Sequence, residues 1–81
     1  MSRPLPEPWE VAERAIEATL AGLMQDVTTY LHGRYSEERE VRMRARWAME
    51  SIESDAAALV ELIEAENARV LAEMAAAGVE P

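Results

Sequence analysis

The chain has no cysteine, so neither a disulfide nor a thiolate metal site can hold it together, and the redox compartment stays undetermined. A single histidine, His32, argues against a zinc or haem site. Lysine is absent too, and all eight basic residues are arginine. Codon bias in a high-GC genome is the plain explanation, and guanidinium-specific pairing the sharper one. No apolar run approaches the ~20 residues of a membrane span. The Pro-rich, acidic start does not resemble a signal peptide. These absences predict no cofactor, no metal and no membrane, and a setting in the bacterial cytoplasm with a phage gene as one possible origin.

What is present is 81 residues carrying sixteen acids and a net charge of −8. A chain this short buries only about 60% of the surface its unfolded form exposes. Without disulfides or metal, regular helix packing or oligomerisation has to supply its stability. The negative charge argues against direct nucleic-acid binding, which needs a field of positive charge.

Residues 1–7 form a Pro-punctuated arm, and Pro8 suits the first turn of a helix, where its missing N–H costs nothing. From there to His32, Trp9, Ala12, Ile16, Leu20, Leu23, Val27 and Tyr30 recur at spacings of three and four. That is the pattern of an amphipathic helix, with Glu10, Glu13, Arg14, Glu17 and Asp26 expected on its other side. Gly33 is expected as a left-handed C-cap. Ser36 is expected to cap a second helix over about 37–77, with Glu37 and Glu38 in its first turn.

No glycine or proline interrupts the chain again until Gly78. Through that stretch Val41, Ala45, Ala48, Ile52, Ala56, Leu59, Ile63, Asn67, Val70 and Met74 keep an eleven-residue phase, with Val41, Ile52, Ile63 and Met74 sharing one position. Eleven residues in three turns predicts a nearly straight helix. Ser51–Asp55 is polar enough to cap a third helix, which would give a three-helix bundle. The unbroken phase favours one long helix instead. The expected fold is therefore all-α: a single domain over 8–78, a short helix packed on a long one, followed by a tail at 79–81.

At 1.5 Å per residue the second helix outruns the first by roughly 20 Å. The overhang is expected to leave Leu59, Leu62, Ile63, Val70, Leu71 and Met74 facing water. Each such side chain is worth ~1.5–3 kcal/mol when fully buried, so a second copy is the expected cover. The candidate self-association residues are Ile52, Ala56, Leu59, Ile63, Val70 and Met74.

Residues 1–33 sum to −3, residues 34–46 to +2 and residues 47–81 to −7. Two long helices crossing antiparallel about Ala56 would set Arg39 near Glu73 of the second copy and Arg46 near Glu66. A parallel pair would stack like charges. An antiparallel homodimer forming a four-helix assembly is the expected result. This plan resembles the helical-hairpin dimers typified by a plasmid copy-number regulator. The resemblance is one of architecture, with no motif and no residue carried over. Hairpins of that class recruit RNA through basic faces, and this chain is acidic.

Catalytic readings fare poorly. Glu61 and Glu64 with Glu10, Glu13 and Glu17 lack the Glu-x-x-His pairs of a di-metal carboxylate site, so a solvated face is the simpler reading. His32 beside Gly33 reads as a cation at a helix end. Ser36, Ser51 and Ser54 have no convincing His or Asp companion, so no catalytic residue is assigned. A protein partner is expected instead. Arg39, Arg42 and Arg46 share one helix face, and with Met43 and Trp47 they are of the types enriched at interface centres. Packing of Trp47 inside the hairpin, and pairing of the arginines with glutamates, are the plainer roles.

Three functions compete. The first is a non-enzymatic, self-associating adaptor or regulator. The second is a phage- or mobile-element-encoded acidic inhibitor of a host nucleic-acid-binding protein, such as a CRISPR effector. It would use Glu50, Glu53, Asp55, Glu61, Glu64, Glu66 and Glu73 to imitate a phosphate backbone. The third is a structural subunit of a larger assembly.

Overall fold

A computed structural model describes residues 5–79. Part of the expected Pro-rich arm, residues 1–4, and the end of the tail, 80–81, lie outside the described residues. Two helices, α1 (Pro8–Gly33, 26 residues) and α2 (Arg39–Ala76, 38 residues), pack against each other as a hairpin. No strand occurs among the described residues. The helices lie in one layer, 13 Å through its thinnest dimension.

Proline opens α1 as its chemistry predicts: Pro8 sits in the first turn behind an extended Glu7, whose carbonyl accepts hydrogen bonds from the N–H groups of Glu10 and Val11 at 2.9 and 3.1 Å. The far end differs from expectation. Gly33 is not left-handed, because the helix runs through it and Arg34 continues in right-handed geometry, donating its N–H to the Tyr30 carbonyl at 3.0 Å. Gly33 is needed for space. A Cβ there would lie 2.8 Å from the Val41 carbonyl oxygen and 3.0 Å from the Ala45 Cβ. The left-handed cap belongs to Gly78, with φ of 75°. Around it the Val79 N–H reaches the Met74 carbonyl at 2.8 Å and the Gly78 N–H reaches Ala75 at 3.1 Å, the pair of bonds that closes a Schellman end.

Ser36 also acts differently from expectation. Its hydroxyl, two residues before the N-cap, accepts the Glu38 N–H at 3.2 Å, and Glu38 occupies the N-cap without a side-chain bond. The turn is tied instead by Arg42, whose guanidinium donates to the carbonyls of Ser36 and Glu37, both at 2.8 Å. Through Ser51–Asp55 α2 is continuous, so the three-helix alternative is not adopted. An uninterrupted hydrophobic phase outweighs a few locally polar residues.

The tightest contact between the helices, at the turn end, is made of small residues. Ala45 and Ala48 are the buried apolar side chains, at 2% and 6% exposure, and Gly33 is buried with them. No large side chain is fully buried among the described residues. Ile16, Leu23, Tyr30, Ile52, Leu59 and Leu62 reach only half-burial. The start of α1 draws level with Glu66, which lines one groove with Trp9 and Ile16. Leu59 and Leu62 therefore lie within the span of α1, and the true overhang is shorter than the length argument predicts.

Candidate protein-binding face

Burial along α1 peaks on a stripe that includes Ala12, Ala15, Thr19, Leu23, Asp26 and Tyr30. Its large apolar residues lie to one side of that stripe. Leu20, Met24, Val27 and Leu31 recur at spacings of four and three and are exposed, Met24 by 62% and Leu31 by 49%. At 3.6 residues per turn this row sits about a quarter-turn from the packing stripe. α2 repeats the arrangement: Ala48, Asp55, Leu59 and Leu62 face inward, while Met49, Val60 and Ile63 are displaced by a similar angle and are 41–53% exposed.

Both rows are displaced in the same sense along their own chains. Two right-handed helices running antiparallel turn those displacements toward the same side of the layer. The hairpin therefore has one continuous apolar face, crossed by both helices, and an opposite face on which Ala18, Gln25 and Ser54 are interspersed with the exposed Val11 and Trp47. Among the expected self-association residues, Ile63 is exposed on the apolar face. Ile52, Ala56, Leu59, Val70 and Met74 are half-buried along its border with the packing stripe.

The expected Arg–Trp patch divides. Arg39, Met43 and Trp47, with Glu40 and Arg44, line a shallow groove on one flank of α2, and Trp47 is 57% exposed. Trp47 therefore does not pack inside the hairpin. Arg42 and Arg46 line a second groove, beside Tyr30, Arg34, Tyr35 and Met49. There the Arg34 guanidinium lies 5.9 Å from the Tyr30 ring centre and 4.9 Å from that of Tyr35, within cation–π range. Its Nη1 also donates to the Leu31 carbonyl at 2.7 Å, closing the end of α1. Arg34 and Arg42 thus serve the turn itself.

The acids divide as well. Glu50, Glu53, Glu61 and Glu64 are exposed on the outer side of α2. Asp55 and Glu66 are half-buried, contrary to their expected place on an acidic face. Asp26 likewise belongs to the inner stripe of α1 and not to its polar side. It meets Asp55 across the helix interface. The shared hydrogen bond with Asp55, followed by burial and by charge repulsion between them, raises the Asp26 pKa. The pair was hidden because Asp26 and Asp55 each look like ordinary surface acids until the helix register is known.

Glu66 has a different partner. Arg69 Nε donates to its Oε2 at 2.9 Å, a second guanidinium nitrogen reaches Oε1, and Arg69 Nη1 holds Glu73 Oε1 at 2.6 Å. The hydrogen bond from Arg69 lowers the Glu66 pKa, and the same contact raises that of Arg69. Among the described residues these are the only ion pairs, so Arg39, Arg44 and Arg46 meet no acidic partner there. Both acids expected to meet the arginines of a second copy are engaged by Arg69.

His32 is exposed in the last turn of α1. No group of three His or acidic residues within metal-holding distance occurs among the described residues. No described helix is long and apolar enough to cross a membrane. Compared with protein-family models, with curated proteins and with solved structures, the chain matches none.

Proposed function

We propose that this chain is a non-enzymatic helical module that self-associates and acts through protein surfaces, as an adaptor or regulator. One observation carries the reading: among the described residues no large apolar side chain is fully buried, while a continuous row of them stays exposed along one face. A lone protomer of this kind has half a core. These side chains are already about half covered, so completing the burial of even four of them is worth roughly 3–6 kcal/mol before ordering costs, which reaches the low end of the whole stability of a small domain. The groove of Arg39, Met43 and Trp47 lies off the apolar face and would stay open for a different protein. Its exposed Trp beside Met and Arg is the composition of an interface centre.

Sedimentation velocity between about 1 and 100 µM tests the self-association directly, and a monomer throughout would overturn the reading. Trp47→Ala with Arg39→Ala should weaken capture of an outside protein while leaving helicity and self-association unchanged.

The exposed row of Glu50, Glu53, Glu61 and Glu64 supports a second reading, an acidic inhibitor occupying the basic groove of a nucleic-acid-binding protein. Asp55 and Glu66, turned inward, contribute little to such a row. Salt-sensitive capture of a DNA-binding protein, lost on reversing Glu61 and Glu64 to Arg, would favour it over the adaptor.

A further inference from the structure

We infer that a second copy of this chain covers the apolar face, packed layer on layer with its turn at the opposite end of the assembly. The inference rests on the self-association proposed above and adds the surface, the two-fold axis and the residues at its centre.

Area comes first. Over the length shared by both helices the face measures ~39 Å by ~20 Å, taking 1.5 Å per residue and one helix diameter for each helix. That is on the order of 800 Å², the area each partner contributes to a standard stable interface. The face is two-sided in origin, built from α1 as well as α2, so a partner helix alone would leave one row uncovered. A second hairpin matches both.

Charge then chooses between the two ways of laying one hairpin on another. The turn end carries Arg34, Arg39, Arg42, Arg44 and Arg46, and residues 34–46 sum to +2. The open end is acidic on both helices, with Glu10, Glu13 and Glu17 on α1 and Glu61, Glu64 and Glu66 on α2. The protomer is therefore polarised along its length. A two-fold axis parallel to the helices would put turn on turn and acids on acids. An axis perpendicular to them sets each arginine-rich turn over the acidic end of the other copy. Exposed pairs are individually weak, but the difference between the two stackings accumulates over both ends.

The perpendicular axis also brings like rows together. α2 crosses its counterpart near Ala56, which stacks Met49 toward Ile63 of the second copy. The helix register places the middle of α1 at the same level. Leu20 and Met24 then meet across the axis, flanked by Val27 and Leu31. Arg46 approaches the level of Glu64, which is exposed and outside the ion pairs of the described residues. This replaces a crossing of the long helices alone by contact through both layers.

The absence of cysteine makes the test clean, because each introduced cysteine is the only one. In the otherwise unchanged full chain, Met24→Cys is expected to give a covalent dimer with a short bismaleimide. Ala18→Cys, on the opposite face of α1, is not. Spin labels on Tyr35→Cys, at the turn, are expected ~35 Å or more apart, since the turns lie at opposite ends of a ~39 Å overlap. Leu20→Glu with Met24→Glu is expected to raise the dimer dissociation constant at least ~100-fold.

A wild-type monomer up to ~100 µM would end the self-association reading itself. A dimer with Tyr35 labels closer than ~35 Å would overturn only the orientation proposed here. Growth beyond a dimer, an unaffected double-Glu variant, or equal cross-linking at Ala18 and Met24 would overturn the face. Should the double-Glu variant unfold, the cross-linking and label distances decide, because neither depends on it.

Discussion

At the turn end the chain brings α1 and α2 together through its smallest residues, and along the open apolar face it leaves a row of large ones exposed. Gly33, Ala45 and Ala48 form the tight contact, whereas Leu20, Met24, Val60 and Ile63 are 43–62% exposed. A monomeric domain normally arranges these the other way, because burying a large apolar side chain contributes more than burying a methyl group. The difference separates two tasks. The small-residue seam sets how closely and at what register the helices meet. The large-residue face carries a continuous share of the exposed apolar area, and the seam's close approach keeps its two rows side by side.

Overfilling the seam should have the larger effect on the fold. Ala45 is 2% exposed, against the Gly33 backbone, so Ala45→Leu inserts three carbon atoms where none fit. Overpacking costs typically ~1–3 kcal/mol, and here the obstacle is backbone. We expect the melting temperature to fall by ~10 °C or more at fixed chain concentration. The same change at an exposed site such as Ala18 should shift it by only a degree or two. Equal losses at the two positions would show that the seam is not the tight contact.

Gly33→Ala is a milder version of the same break. An added Cβ gains helix propensity of about 1 kcal/mol but meets the Val41 carbonyl oxygen at 2.8 Å and the Ala45 Cβ at 3.0 Å. Because a carbonyl cannot rotate away like a side chain, the clash should win, leaving a net loss of ~1 kcal/mol. Gly22→Ala supplies the contrast. Nothing lies within 4 Å of its added Cβ, so propensity acts alone and the variant should gain up to ~1 kcal/mol. Thermal melts of the two variants should therefore move in opposite directions, and a common direction would refute the close approach at Gly33.

Much of this fold was legible in the residues. Pro8 marked the start of α1, and the eleven-residue phase ran α2 straight through Ser51–Asp55. What escaped were consequences of register between the helices. Gly33 looked like a cap because a glycine at a helix end is most often one, and only the position of Val41 across the turn shows it to be a spacer. Periodicity located an apolar side on α1, but it could not say that the packing stripe would take Ala15 and Thr19 and leave Leu20 and Met24 outside. Length alone placed the uncovered surface on the overhang of α2. The wider uncovered surface is lateral, and it belongs to both helices. Asp26 and Asp55, far apart in sequence and individually ordinary, could only be paired once the helices were laid side by side.

That pair gives the smallest effect and the most specific one. The folded pKa of Asp26 is raised above its ordinary 3.8 by sharing a hydrogen bond with Asp55, with burial and repulsion adding to it. A proton is therefore held more tightly in the folded chain. Its stabilising contribution is fully present below the unfolded pKa and is lost as pH rises through the raised folded value. Glu66 works in the opposite sense: held low by Arg69, it stabilises above its ordinary 4.5 and that contribution fades as pH falls through its depressed value. Below about pH 4.5 the two oppose each other, which should flatten the acid side of the stability profile of the wild-type chain. Asp26→Asn keeps the hydrogen-bonding shape and removes the repulsion. The variant should melt higher than wild type at pH 7, lose that advantage as the pH approaches 4, and reveal the acid-side loss due to Glu66. Circular-dichroism melts at pH 7, 5 and 4 measure the difference. An advantage of Asp26→Asn that stays constant across all three would mean that the carboxylates do not share a proton, and that the seam tolerates two charges where it tolerates no extra methyl group.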